Sequence, residues 1–151
     1  MVGVALDENA RIVAALKNVG RRICASSDFG PAIAQSQELL KALGLQVRAW
    51  DRKHIELMAS DTGSSPTPGS DNSGISVVYY DADGNVPPTL QFYEINVADV
   101  KQGKGLAGAM VDAVLQPLMR RVDSVELTVH RDWSGGFWNK MKSKYPMFTW
   151  C

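Results

Sequence analysis

The spacing of apolar positions changes several times along the chain, and each change predicts a different element. Between residues 7 and 24, Ile12, Leu16, Val19 and Ile23 recur at steps of four, three and four. That is the stripe of an amphipathic helix, with Asp7 suited to cap its start and Gly20 weakening its last turn. A second helix is predicted from Pro31 to Leu43, since Pro31 suits a first turn, Ile33, Leu39, Leu40 and Leu43 recur, and Gly44 suits the stop. Residues 46–50 and 54–58 can pair as strands about Asp51-Arg52-Lys53, the second stretch reading equally as a short helix.

The clearest strand signal is Ile75-Ser76-Val77-Val78-Tyr79-Tyr80, followed by a polar turn through Asp83-Gly84-Asn85 and a second strand over 89–97, together a hairpin with a long connection. A helix is expected from Gly105, with Leu106, Met110, Ala113, Val114 and Leu118 on one stripe and Pro117 ending or kinking it near Arg120. Residues 124–130 then alternate, with Val125, Leu127 and Val129 on one face and Glu126, Thr128 and His130 on the other. A helix over 133–144, entered through Ser134-Gly135-Gly136, and a closing strand through Met147-Phe148-Thr149-Trp150 complete the pattern, which contains no internal repeat. The order predicts an α+β domain, a mostly antiparallel sheet flanked by helices.

Composition narrows the picture. A chain of 151 residues with 45% apolar and 21% charged positions reads as one soluble globular domain spanning 1–151. Residues 61–74 are almost entirely Ser, Thr, Pro, Gly, Asp and Asn, which predicts a mobile loop within that domain. Lys plus Arg and Asp plus Glu each total 16, so the zero formal charge lacks the basic excess of a general nucleic-acid binder. No apolar run approaches the roughly 18 residues that cross a bilayer, and the first residues lack a basic n-region, so no membrane association and a cytoplasmic location are expected. Cys24 and Cys151 lie at opposite ends with no metal-like spacing, which predicts free thiols and no metal site.

Candidate chemistry concentrates at a predicted strand-to-helix junction, Gln102-Gly103-Lys104-Gly105-Leu106-Ala107-Gly108. Helix N-termini carry unpaired N–H groups and partial positive charge, and glycines let a diphosphate approach them. A Walker loop needs Ser or Thr after its Lys, and Lys104 is followed by Gly105, so that pattern fails. Gly103, Gly105 and Gly108 satisfy Gly-x-Gly-x-x-Gly, but the preceding strand belongs to a hairpin and no acidic ribose partner is clear, which leaves the dinucleotide reading weak.

Gln102-x-x-Gly105-x-Ala107 resembles the Gln/Arg-x-x-Gly-x-Gly/Ala motif of the GNAT superfamily of acyl-CoA-dependent N-acetyltransferases. The resemblance extends in element order over roughly residues 75–150 and is poor before that. It implies a GNAT-like mixed sheet whose central strands splay apart, with acetyl-CoA as acyl donor. The N–H groups of Gly103, Lys104, Gly105, Leu106, Ala107 and Gly108 would hold the pyrophosphate, Gln102 would orient the loop, and an N–H near Val97 or Ala98 would polarise the thioester carbonyl. Direct attack by a primary amine needs a base. Glu94, read by simple alternation as sharing a face with Phe92 and Asn96, is the first candidate, and His130 at the next strand's end is the second. Laid on the family's pattern, the Tyr that protonates the leaving thiolate falls on Trp138, which has no acidic proton to give; Tyr145, Ser134 or water are the substitutes. Phe137, Trp138, Phe148 and Trp150 read as core or rim packing, and Lys140, Lys142, Lys144, Arg120 and Arg121 as a solvated face or a basic rim. The resemblance leaves the acceptor open between a small molecule, a protein and aminoacyl-tRNA. A non-catalytic acyl-CoA-binding or interaction module on the same scaffold is the alternative, and the pattern sets no oligomeric state.

Overall fold

A computed structural model describes residues 28–51, 53–130 and 136–151 of the protein. The helix expected over 7–24, Cys24 and Ser134 lie outside the described residues. Among the described residues the order is helix α1 (Gly30–Ala42), strands β1 (Gln46–Asp51), β2 (Ile55–Ser60), β3 (Gly74–Tyr80) and β4 (Thr89–Asn96), helix α2 (Leu106–Leu115), strand β5 (Glu126–Val129), helix α3 (Phe137–Lys144) and strand β6 (Thr149–Trp150). This is an α+β fold built on one open six-stranded mixed sheet in the order β1-β2-β3-β4-β5-β6.

The first four strands form an antiparallel meander, and β5 and β6 each add in parallel after a helical crossover. Residues 54–58, open between helix and strand in the sequence, fall largely in β2, where pairing to β1 and β3 satisfies both backbone edges. Pro117 acts as its chemistry requires: α2 ends at Leu115 and the chain tightens into a 3-10 turn over Gln116–Arg121. The closing strand is shorter than expected, two residues beside Glu126 and Leu127.

The core lies where α1 and α2 cover one face of the sheet. Ile33 and Leu40 of α1, Met110, Val114 and Leu115 of α2, and Leu57, Val77, Leu90 and Phe92 of the sheet are all essentially inaccessible. The helical stripe of α1 differs from the one expected. Leu39 and Leu43 are 42% and 37% exposed, whereas Ser36 and Gln37 are buried beside Ile33 and Leu40. Residues 32, 33, 36, 37 and 40 make the buried arc at helical spacing, so position around the axis overrides side-chain polarity here.

A bulge interrupts the β3–β4 ladder. Ser76 lies opposite Glu94 and Val77 opposite Phe92, so Tyr93 is the extra residue on β4. Ser76 and Val77 point to opposite faces, and therefore so do Glu94 and Phe92. The expectation that Glu94 shares a face with Phe92 is corrected: across the bulge it is Ile95 that joins Phe92 on the helix-covered face, while Glu94 and Asn96 lie on the other.

Candidate functional site

Pairing between β4 and β5 runs from Thr89 opposite Glu126 to Phe92 opposite Val129, with one further bond from the His130 N–H to the Phe92 carbonyl at 2.9 Å. Among the described residues, 93–96 of β4 have no partner on the β5 side. The gap opens a cleft of about 840 Å³ between the end of β4, the loop before α2 and the start of α3.

The register fixes which backbone groups face that gap. Phe92 faces β5, so its antiparallel partner Val77 faces β2. Ser76 then faces β4, and Glu94 opposite it faces β3. Ile95, the next residue, turns both its N–H and its C=O into the gap. Without the bulge at Tyr93 that role would fall to Glu94, whose side chain would then also change faces.

Across the gap, the backbone is shaped by glycine. Gln102 is extended, while Gly103 (φ 77°) and Gly105 (φ 76°) both occupy the left-handed region, and Gly105 is the N-cap of α2. A side chain at Gly103 or Gly105 would meet no atom within 4 Å, so the requirement there is conformational and the space in front is open. The first-turn N–H groups of Leu106, Ala107 and Gly108 have no carbonyl a turn earlier in the helix to bond. Gln102 braces the turn, its Nε2 donating to the Val97 carbonyl at 3.1 Å and to Asp99 Oδ1 at 3.3 Å.

Of the residues expected at the site, Glu94, Val97, Gln102, Gly103, Gly105, Leu106, Ala107 and Gly108 line this one cleft. Three do not. The Ala98 N–H, a candidate to polarise a carbonyl, is buried and donates to Ser73 Oγ at 2.9 Å. Lys104 is exposed outside the lining. His130 is exposed, its ring stacks on Tyr93 with centroids 4.6 Å apart and planes at 15°, and it is not part of the cleft lining. Trp138 lines the cleft from a buried position against Phe92 and Trp150. Tyr145, offered as a substitute acid, is turned elsewhere: its hydroxyl donates to Asp112 and accepts from Gln116 Nε2 at 3.4 Å. Burial first, and then the Asp112 carboxylate, push its pKa up to about 12.

Pattern reading missed Pro68, Gly69, Ile95, Asn96 and Lys101 in the lining. The loop carrying Pro68 and Gly69 is knit by its own polar side chains. Asp61 and Ser73 close its base, with the Asp61 N–H donating to the Ser73 carbonyl at 2.9 Å and the Ser73 N–H to Asp61 Oδ1 at 3.0 Å. Lys101 Nζ bonds Asp61 Oδ2 at 2.7 Å. Burial alone would raise the Asp61 carboxyl, but its bonds to Lys101 and Ser73 outweigh that and hold it below the usual carboxylate value. Asn72 Nδ2 donates to the carbonyls of Ser64 and Ser65, and Asn96 on β4 ties into the tip.

Among the described residues no group of three or more His, Cys, Asp or Glu is arranged to hold a metal ion, and no helix is long and apolar enough to cross a membrane. No protein-family model matches the sequence, and no curated protein matches it.

Proposed function

We propose that the protein is an acyl-CoA-dependent N-acyltransferase of GNAT type, transferring an acetyl group to a primary amine by direct attack. The observation that carries this is the coincidence of two features in one cleft. Among the described residues the parallel β4–β5 pairing ends at Phe92, and a glycine-shaped helix N-terminus lies across the opening.

Each lining group then has a task its chemistry suits. The N–H groups of Leu106, Ala107 and Gly108, with the left-handed glycines before them, offer a diphosphate convergent donors and the positive end of a helix. Ile95, facing the gap with both backbone polar groups, can pair with an amide-bearing arm as a strand would, or supply the N–H that polarises a carbonyl. It replaces Ala98, whose N–H is already spent on Ser73. The thioester supplies an activated acyl group when bound; the protein supplies position and proton transfer.

Glu94 is the base in this reading. It lies on the sheet face opposite α1 and α2, so an amine would enter from that side while the donor enters from the side of α2. A carboxylate there attracts a protonated amine and takes its proton, directly or through one water. His130, stacked on Tyr93 outside the lining, is not used. No tyrosine lines the cleft, and Trp138 holds the place where the family carries its acid. A thiol of pKa about 8.5 leaves tolerably as thiolate, so transfer proceeds more slowly without one.

The same observation favours a second reading, a module that binds acyl-CoA and does not turn it over. Calorimetric titration with CoA, followed by incubation of acetyl-CoA with a panel of amines and a free-thiol assay, separates the possibilities. Binding with amine-dependent thiol release supports the enzyme; binding without release supports the module. No binding removes both.

A further inference from the structure

Asn96 and the loop 61–74 make a wall that this strand-and-helix account does not use. Asn96 lies two residues from Glu94 on the same face and spends its whole amide on the loop tip. Its Oδ1 accepts from the Gly69 N–H at 3.1 Å, and its Nδ2 donates to the carbonyls of Ser70 at 3.1 Å and Asn72 at 2.6 Å. Asn96 can lean this way because its neighbour across the ladder is Gly74, which has no side chain. Two residues on, Ala98 holds Ser73, and Lys101 holds Asp61. A polar loop is thus fastened at three points to the one segment, 96–101, that joins Glu94's strand to the diphosphate turn. Its tip residues Pro68 and Gly69 then line the cleft together with Glu94.

We infer that this loop is the acceptor-selecting wall of the site, with Asn96 as its positioning residue and the Pro68 ring as the surface that meets the amine's substituent. The inference rests on the acyltransferase reading. It also names a substrate class. Among the described residues Glu94 is the only anionic one in the lining, where Lys101 is already paired with Asp61 and Lys140 stands on α3, and Pro68 and Gly69 offer an apolar ring and a bare backbone. The acceptor is therefore a monocationic primary amine whose nearest substituent is small and uncharged. A second positive charge beside the nitrogen would find no partner on Pro68 or Gly69, and a carboxylate there would meet Glu94.

The test uses the whole chain, acetyl-CoA and a graded set of primary amines, linear, branched next to the nitrogen, and bearing an adjacent carboxylate. Asn96→Asp keeps the shape and the acceptance from Gly69 but sets a negative charge against two carbonyl oxygens. It is expected to raise KM for every accepted amine about tenfold while the Kd for CoA changes less than about twofold. Pro68→Ala, at an exposed position, is expected to narrow the difference in KM between linear and branched amines. Unchanged KM values in Asn96→Asp together with unchanged linear-to-branched discrimination in Pro68→Ala, with CoA still bound, overturn this inference alone. Equal losses of CoA and amine binding in Asn96→Asp also overturn it, because they report general damage to the fold. Failure of the unmodified protein to bind CoA removes the acyltransferase reading and this inference with it.

Discussion

The two halves of β4 each carry one aromatic, one aliphatic and one amide side chain, and they meet opposite fates. Thr89, Leu90, Gln91 and Phe92 are zipped between β3 and β5, with Leu90 and Phe92 sealed in the core. Beyond the unpaired Tyr93, the residues Glu94, Ile95 and Asn96 keep β3 but have no β5 partner among the described residues, and the four side chains stay partly accessible. The bulge at Tyr93 marks the change. A sheet interior satisfies every backbone group and leaves nothing to offer a ligand; a half-paired strand keeps its rigidity on one edge and offers donors and acceptors on the other. The candidate site is that second half, furnished by the glycine turn opposite.

The comparison breaks most completely if the turn is ruined while the strands are left alone. Gly105→Glu puts an L residue at φ 76°, which costs about 1–2 kcal/mol, and adds a negative charge where a diphosphate would sit. Calorimetry should then find no CoA binding, with a melting transition still cooperative. Retained binding would take the turn out of the site. Glu94→Gln tests the open half itself: kcat should fall about 10²- to 10⁴-fold with CoA affinity kept, as for loss of a general base. A full rate in Glu94→Gln would leave the accessible half of β4 with backbone roles only.

Much of this was legible in the residues and one decisive part was misread. From residue 30 onward, the element order, the hairpin, the Pro117 break and the glycine turn all follow from period and turn chemistry, and the described residues have them at nearly the expected positions. Glu94's face does not follow from simple alternation, because a bulge shifts the parity. The signal was present: Leu90 and Phe92 are even, Ile95 and Val97 are odd, and a step of three between Phe92 and Ile95 is one residue too many for a regular strand. Composition predicts a mobile loop over 61–74. That count overlooks Asp61, Asn72 and Ser73, whose side chains serve as backbone partners in their own segment. Asn96 was invisible for a different reason, since its partners lie about 25 residues away in sequence.

A smaller perturbation examines the fully paired strand beside the open half. Gly74 sits where β2 passes so close that an added Cβ would collide with the Ala59 carbonyl oxygen and come within 2.7 Å of Ser60 Cβ. Gly74→Ala should therefore lower stability by about 1–3 kcal/mol in urea unfolding, as overpacking does. Because Gly74 lies opposite Asn96, KM for the amine should rise in the same variant. A neutral result would mean the first strands yield more easily than the buried faces imply.

The smallest expected effect concerns how the two helices flanking the gap are held. Asp112 of α2 takes the Tyr145 hydroxyl and, at 2.9 Å, the Lys144 ammonium, so the walls bearing Gly108 and Trp138 are joined one turn or more from the mouth. Tyr145 is pushed from 10.0 up to about 12 in the folded chain. A group with a raised folded pKa contributes stability that is complete below its unfolded value and is lost as pH rises through the folded one. Between pH 10 and about 12, stability should thus fall more steeply in the unmodified protein than in Tyr145→Phe, which has no proton there to lose. At neutral pH, Tyr145→Phe should lose about 1 kcal/mol from the missing bond and weaken CoA binding only slightly. If CoA affinity instead collapses, the spacing of the open half is set by the α2–α3 tie rather than by the bulge in β4, and the contrast between the strand's two halves becomes its consequence.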